Sequence, residues 1–245
     1  MTRSILITGA SRGLGEHLAR QFARRGYSLA LTGRTLEPLQ KLAEEFAGQA
    51  GKIVIRQLDV ADYSTIPGVL AECAEELGGL DIIVANAGVG HTVAVGDGKL
   101  AEIRETIDVN ILGAIATAEA AIALFRKQGQ GQLVGLSSVA KVRGLPGGGV
   151  YGASKAAFGI YLQAARLETR AEGIVVTELA PGYIDTDMNR GAASRPFLVS
   201  TDKGTRLMAD LIEKQVGFRF VPVWPWTLVA QVLKWLPGSL LAKLG

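Results

Sequence analysis

The 245-residue sequence contains one cysteine and two histidines. A single thiol cannot form an internal disulfide, and a structural zinc site needs more thiol or imidazole ligands than this chain supplies. Cys73 falls in an amphipathic stretch, where a small apolar side chain that fills core space is the ordinary expectation. The composition therefore predicts no metal site and favours a reducing, cytoplasmic environment.

Dense runs of one charge are also absent, and the formal net charge is only +3. This balance argues against nucleic acid as the main partner and is compatible with an anionic small-molecule ligand. The first residues, MTRSILITG, lack a positively charged segment followed by an apolar one. They predict an early strand rather than a signal peptide.

Short aliphatic runs alternate with longer amphipathic ones along the whole chain. The predicted strands cover residues 4–8, 28–32, 52–57, 81–86, 132–137, 174–180 and 218–223. The predicted helices cover residues 13–26, 36–48, 63–78, about 100–127 and 150–173. Such alternation predicts βαβ units, and strands that are apolar at nearly every position predict helices on both faces. We expect one doubly wound α/β domain over residues 1–245.

The first strand-to-helix connection, TGASRGLG, has the glycine spacing G-x-x-x-G-x-G. Glycines at these points permit a tight turn, close approach of backbone N–H groups to a phosphate, and close packing of helix on strand. The alternative is a glycine-rich turn without a ligand. The residues of this loop predicted to hold a dinucleotide are Gly9, Ser11, Arg12, Gly13, Leu14 and Gly15.

The second predicted strand ends at Thr32-Gly33-Arg34, without the acidic residue that binds a ribose 2′-hydroxyl in NAD-preferring proteins. Arg34 and Arg12 could instead clamp a 2′-phosphate with charge-assisted hydrogen bonds. Two solvated arginines are the alternative, with Arg34 capping the following helix. The pattern predicts NADP(H) as the cofactor.

Later strand ends add small and polar residues to the same predicted groove. An Asp after the third strand could accept from the adenine amino group or serve a turn, and the small residues after the fourth strand let a ribose approach. A Thr hydroxyl beyond the sixth strand could meet a carboxamide. These candidates are Asp59, Val60, Asn86, Ala87, Gly88, Pro181, Gly182, Ile184 and Thr186.

Tyr151 and Lys155 are four residues apart in a predicted helix, and Ser138 lies thirteen residues before the tyrosine. The spacing places the phenol and the ammonium on one helical face. Because an ammonium favours a neighbouring phenolate, the pair is either acid/base machinery or ordinary helix decoration.

Together these motifs resemble the short-chain dehydrogenase/reductase family over residues 1 to about 190. The ordered set is TGASRGLG, NAG at 86–88, Asn110 in VNILG, Ser138, YGASK at 151–155 and PGYIDTDM at 181–188. One departure is Ala85, which stands where the family usually has a first asparagine before Asn86. The resemblance implies a Rossmann-type sheet of about seven parallel strands and a nicotinamide cofactor.

The resemblance also implies a catalytic tetrad of Asn110, Ser138, Tyr151 and Lys155. Tyr151 would be the general acid or base for carbonyl–alcohol interconversion, with its pKa lowered by Lys155 and by the oxidised nicotinamide. Lys155 would also hold the cofactor ribose, Ser138 would orient the substrate carbonyl, and Asn110 would hold a proton-relaying water. Taken singly, each residue could be a structural helix, loop or core group.

Two segments bear on the substrate, which is expected to be a small carbonyl or alcohol compound, with an apolar one preferred. Residues 189–201 predict a mobile substrate loop, with an inert surface loop as the alternative. The Trp-rich extension 224–245 could cap the pocket, form a subunit interface or rest on a membrane surface, and we favour the first two.

Homo-oligomers, dimers or tetramers, are implied by the resemblance alone. The alternative functions are an epimerase or dehydratase, for which the chain lacks a larger substrate domain, and a catalytically silent NADP(H)-binding sensor or scaffold.

Overall fold

A computed structural model describes residues 2–191 and 194–242. Its centre is one parallel seven-stranded sheet in the order β3-β2-β1-β4-β5-β6-β7. The strands are β1 Ser4–Ile7, β2 Ser28–Gly33, β3 Ile53–Gln57, β4 Ile82–Ala85, β5 Gly131–Leu136, β6 Ile174–Pro181 and β7 Phe218–Val221. The predicted fold class is therefore confirmed: a doubly wound, Rossmann-type α/β sheet flanked by helices.

Helices connect the strands and cover both faces of the sheet. They are α1 Gly13–Arg24, α2 Leu36–Glu45, α3 Ile66–Leu77, α4 Leu100–Ile107, α5 Ala114–Gln128, α6 Gly149–Glu168, α7 Thr201–Glu213, α8 Val223–Trp235 and α9 Gly238–Leu241. Successive residues of β1 explain the apolar strands, since Leu6 enters the core on one face while Ile5 and Ile7 enter the core on the other.

The helix predicted over about 100–127 is divided in the structure. A π-helical turn, Asp108–Gly113, separates α4 from α5 and contains Asn110. A Cβ atom on Gly113 would lie 2.5 Å from the carbonyl oxygen of Val60. This close backbone approach to the loop after β3 requires glycine, and the pattern of apolar residues did not reveal it.

The segment Leu100–Gln128 is long and apolar enough to cross a membrane by length and composition, with a mean hydropathy of 1.6. Half of that window is buried inside the protein. Ala118, Ala121 and Phe125 pack fully buried in the core, so these residues form a core helix.

Helix α7 lies in a stretch that the sequence analysis left unassigned. Ser200 caps it by accepting a hydrogen bond from the backbone N–H of Lys203, and Met208 and Ile212 are fully buried. Asp202 accepts a hydrogen bond of 2.9 Å from Gln21, which links α7 to α1 across the sheet face. The periodic apolar residues and the serine cap were signals that could have identified this helix.

Candidate active site

A cleft of about 410 Å³ lies at the carboxyl ends of six strands, where parallel sheets bind ligands. Every predicted site residue lines it except Gly15 and Asn110, which are both buried. The predicted residues in the lining are Gly9, Ser11, Arg12, Gly13, Leu14, Arg34, Asp59, Val60, Asn86, Ala87, Gly88, Ser138, Tyr151, Lys155, Pro181, Gly182, Ile184 and Thr186.

The glycine loop has the geometry of a phosphate cradle. Gly9 and Gly13 have φ values of +65° and +60°, which L side chains rarely adopt. A Cβ on Gly15 would lie 2.3 Å from the carbonyl oxygen of Gly9, so the helix packs too closely on the loop for any side chain. Helix α1 begins without a side-chain cap, which leaves its first N–H groups for an anion. These residues fit a dinucleotide pyrophosphate.

Asn86 holds this loop from the neighbouring strand. Its Nδ2 donates to the carbonyl oxygens of Thr8 at 2.7 Å and Gly9 at 3.2 Å. The family usually has two asparagines here, and this chain has Ala85 followed by Asn86. Asn86 thus holds the glycine loop without a first asparagine.

Arg34 projects into solvent at the edge of the cleft, with 56% of its side chain exposed. Its Nη1 lies 3.8 Å from Oε1 of Glu105 on α4, and the other carboxylate oxygen is 2.7 Å from Nε2 of His91. The sequence analysis assigned no role to His91 or to Glu105. No group of three or more His, Cys, Asp or Glu side chains with metal-site geometry occurs in the parts of the chain that the structure describes.

Asp59 has both properties considered for it. Its carboxylate accepts a hydrogen bond from the N–H of Ala61 at 3.0 Å, which is a local turn, and the residue also lines the cleft. The turn fixes the direction of the chain after β3. A role of Asp59 in adenine binding stays a prediction.

Ser138, Tyr151 and Lys155 meet in the deep part of the cleft. Lys155 is buried on α6, and its Nζ donates to the carbonyl oxygen of Leu136 at 3.0 Å and lies 5.9 Å from the centre of the Tyr151 ring. Ser138 follows β5, and its Oγ accepts from the N–H of Ala140 at 3.1 Å, capping a 3₁₀ turn. The helix and the strand end therefore converge, as the family resemblance implied.

Burial dominates the protonation of this cluster. It lowers the pKa of Lys155 to about 8. Burial also raises the pKa of Tyr151, and a side-chain hydrogen bond with Ser138 acts in the opposite direction. The raised pKa of Tyr151 differs from the lowered value that the sequence analysis expected. The reason is that the Lys155 ammonium donates its hydrogen bond to the Leu136 carbonyl, while burial desolvates the phenol. A lowered phenol pKa stays a prediction for the cofactor-bound protein.

Asn110 is fully buried, and its amide is used in hydrogen bonds within the protein. The side-chain oxygen accepts from the N–H of Val89 at 2.8 Å, while Nδ2 donates to the Val89 carbonyl at 2.8 Å and to Ser154 Oγ at 3.2 Å. It thereby joins the loop after β4 to α6. The water-relay role stays a prediction.

A buried ion pair, which the sequence analysis missed, supports the 3₁₀ turn that follows Ser138. Glu178 of β6 is fully buried, accepts a hydrogen bond of 2.6 Å from Ser137 Oγ, and pairs with Lys141 of the 3₁₀ turn. A Cβ on Gly159 would lie 2.6 Å from Nζ of Lys141, so α6 passes close to this ion pair. An acid within the apolar strand IVVTELAP was the available signal.

The Trp-rich extension contacts the turn after β6. A Cβ on Gly182 would lie 2.0 Å from Nε1 of Trp226, whose ring centre is 5.8 Å from that of Phe197 and 6.0 Å from that of Tyr183. The extension therefore packs beside the predicted substrate loop. Residues 192–193 of that loop and 243–245 of the extension lie outside the described residues, and the loop's mobility stays a prediction.

Across the cleft mouth, Met188 approaches the loop after β4. A Cβ on Gly90 would lie 3.1 Å from Met188 Cγ and 3.8 Å from Tyr151 Cε2. Met188 lines the cleft and is 53% exposed. The sequence analysis assigned no role to it or to Gly90, although both lie where a substrate would approach the phenol.

A glycine cradle and a Ser-Tyr-Lys cluster on the carboxyl edge of a parallel sheet define a dinucleotide-binding oxidoreductase. Residues 3–196 match the family described as short chain dehydrogenase. The chain belongs to this family and is an NAD(P)-dependent oxidoreductase.

Individual proteins of known sequence or structure are similar to this chain over most of its length. An uncharacterized oxidoreductase of Mycobacterium tuberculosis H37Rv is 39% identical over 241 residues, which are 97% of this chain and 95% of the relative. An alcohol dehydrogenase from the archaeon Thermococcus sibiricus, complexed with 5-hydroxy-NADP, has a TM-score of 0.81 and 30% identity, covering 90% of this chain and 95% of that one. A variant of ElxO with NADPH bound has a TM-score of 0.78 and 26% identity, covering 86% and 91%.

Proposed function

We propose that the protein is an NADP(H)-dependent oxidoreductase that interconverts a ketone, aldehyde or acyl-derived carbonyl and the corresponding alcohol. The observation that carries the proposal is the convergence of Tyr151, Lys155 and Ser138 in the cleft that the glycine loop opens. The proposal places the chain in the cytoplasm, as one domain and as a homo-oligomer, with a small-molecule substrate.

The preference for NADP(H) rests on the charge at the end of β2. Arg34 and Arg12 line the cleft there, and Gly33 stands where an acid would bind a ribose 2′-hydroxyl. Glu105 is the nearest described carboxylate, 3.8 Å from Arg34, and comes from α4 rather than from the strand end. The NADP analogue and NADPH in the Thermococcus sibiricus and ElxO structures support the same preference.

Within the cleft, Tyr151, Ser138 and Lys155 each have a distinct role. The nicotinamide, when bound, supplies or accepts the hydride. Tyr151 gives its phenolic proton to the carbonyl oxygen during reduction, or receives the proton of the alcohol during oxidation. Ser138 donates a hydrogen bond that orients the carbonyl, and Lys155 donates to ribose hydroxyls while held by the Leu136 carbonyl.

The protonation states favour reduction near neutral pH. Because burial raises the pKa of Tyr151, the phenol of the cofactor-free protein keeps its proton and is ready to act as an acid. Alcohol oxidation needs the phenolate, so its rate should increase as the pH rises.

The first test is a parallel fluorescence titration of the purified protein with NADPH and NADH. We expect a preference for NADPH that Arg34→Ala reduces at least tenfold, since a bidentate phosphate contact is lost. Arg126→Ala is the matched control, because Arg126 pairs with Glu172 on the surface and does not line the cleft. Equal binding of both cofactors by the wild type would reject the phosphate clamp.

Turnover separates the enzyme from a catalytically silent sensor. With NADPH and a panel of ketones and aldehydes, Tyr151→Phe should bind the cofactor normally and lose at least 10²-fold in kcat. A wild type that binds NADPH but reduces no member of the panel, with a cellular role that Tyr151→Phe leaves intact, would favour the sensor.

A further inference from the structure

Helix α8 presents an apolar ridge to solvent. The ridge consists of Trp224, Leu228, Val232 and Trp235, whose exposed fractions are 73%, 53%, 53% and 84%. Trp224 is non-helical and precedes the regular turns, and the spacing of the other three places them on one side of the helix. A ridge this exposed is unusual for a packed helix and marks an interaction surface.

The opposite side of α8 holds the helix on the protein. Trp226 and Ala230 are only 3% and 2% exposed and pack with Ala180 and Phe220 near the ends of β6 and β7. These residues bury the inner side of α8, and none of the described residues of α8 lines the cleft, so the ridge does not close over it.

The charged residues of the C-terminal segment have one sign. From residue 214 to residue 245 the sequence contains no Asp or Glu, and Lys234 is the cation that lies in α8 itself. Arg143 adds a further cation, because its Nη1 lies 3.4 Å from the carbonyl oxygen of Lys234. A partner of this surface should therefore be anionic.

A second copy of the chain fits this surface poorly. In a two-fold contact the same patch meets itself, so Lys234 and Arg143 of both copies would enter an interface to which α8 contributes no acid. Apolar side chains with tryptophans at both ends and a lysine beside them suit the boundary between acyl chains and anionic headgroups.

We propose that the ridge docks the protein on an anionic lipid surface, with Lys234 and Arg143 at the headgroups. Helix α8 would then lie in the interface plane rather than span the bilayer. Because Trp226 packs against Gly182 and Phe197, the docked helix is linked directly to the turn and loop beside the cleft.

The test is co-sedimentation of the purified full chain with vesicles of phosphatidylcholine alone and of phosphatidylcholine with phosphatidylglycerol. We expect binding to the mixed vesicles, weakened at least tenfold by Leu228→Glu with Val232→Glu. Lys234→Gln should weaken it roughly fivefold, the usual effect of one cation near such a surface. Val95→Glu is the matched control, since this valine is fully exposed in the loop between β4 and α4 and is not part of the ridge, and the variant should bind as the wild type does.

Each variant is also examined by light scattering and by urea unfolding. Unchanged urea unfolding shows that the variants are folded, and because this control does not depend on the cofactor, the test stays separate from the proposed function. No binding of the wild type to the mixed vesicles would overturn the proposal, as would equal binding to both kinds of vesicle. A smaller oligomer in the Leu228→Glu, Val232→Glu variant, without any vesicle binding by the wild type, would assign the ridge to a subunit interface.

Discussion

Replacing Lys155 by Met should stabilise the protein near neutral pH while it removes activity. Lys155 is 6% exposed, and its ammonium has a hydrogen bond of 3.0 Å to the Leu136 carbonyl. Desolvation is the cause of its lowered pKa. A buried charge with this environment lowers stability, so methionine, which is apolar and of similar length, should relieve the cost.

The magnitude follows from the pKa. The folded pKa of Lys155 is about 8 and the ordinary value is 10.5. At 1.36 kcal/mol per unit, this difference corresponds to about 3 kcal/mol, present in full below pH 8 where both the folded and the unfolded chain hold the proton. The Leu136 carbonyl loses a hydrogen bond in the variant, which costs about 1 kcal/mol. A net gain of about 2 kcal/mol is expected at pH 7.

The lowered pKa of Lys155 predicts that the wild-type protein becomes more stable in mildly alkaline solution. Between about pH 8 and 10.5 the unfolded chain binds more protons at this lysine than the folded chain, so the free energy of unfolding of the wild type rises with pH. Lys155→Met lacks this contribution. The difference between the two proteins should therefore shrink from about 2 kcal/mol at pH 7 to near zero at pH 10.

Reversible urea unfolding at pH 7 and pH 10 measures both quantities. Lys141→Met is the matched control, because it removes the partner of the buried Glu178 and should destabilise by about 3–5 kcal/mol. The reasoning about Lys155 is refuted if Lys155→Met is less stable than the wild type at pH 7, or if the difference between them is the same at both pH values.

Three further predictions follow from the packing. Gly15→Ala should destabilise the protein by about 1–3 kcal/mol and abolish NADPH binding, because its Cβ would lie 2.3 Å from a backbone oxygen. Gly68→Ala is the control, since a Cβ at that position meets nothing within 4 Å. Equal cofactor binding by the two variants would contradict the role of the glycine loop as a phosphate cradle. Trp226→Ala should cost about 3–5 kcal/mol in urea unfolding, since the buried indole fills the space above Gly182; a loss below about 1 kcal/mol would show that α8 contributes little to the fold. Cys73 is fully buried and burial raises its pKa to about 11, so a thiol reagent at pH 8 should label it only after unfolding, and rapid labelling of the native protein would show that α3 opens locally.

The strands were predictable because their signal is local. Each strand is a short apolar run between turn residues, and all seven lie within about two residues of their predicted bounds. The last one ends at Val221 rather than at residue 223, where Pro222 cannot donate to a sheet ladder. The break at Asp108–Gly113 was not predictable, since it depends on the approach of Gly113 to Val60, a residue 53 positions earlier.

The site shows the same division. That the glycine loop, Tyr151, Lys155 and the strand-end residues lie along one cleft could be predicted, because a motif is a property of consecutive residues. The contacts that the motifs omitted join distant segments, as in the pairing of Lys141 with Glu178 or of His91 with Glu105. The direction of the Tyr151 pKa shift was equally hidden, because burial sets it.

The sequence by itself determined the alternation of strands and helices, the edge of the sheet that binds ligands, and the residues brought to that edge. Hydrophobic periodicity and glycine spacing carry this information because backbone geometry is local. Only the tertiary structure decided which faces are buried. It placed Trp226 beside Phe197 of the predicted substrate loop and left the ridge of α8 in solvent, because burial depends on neighbours far away in the chain.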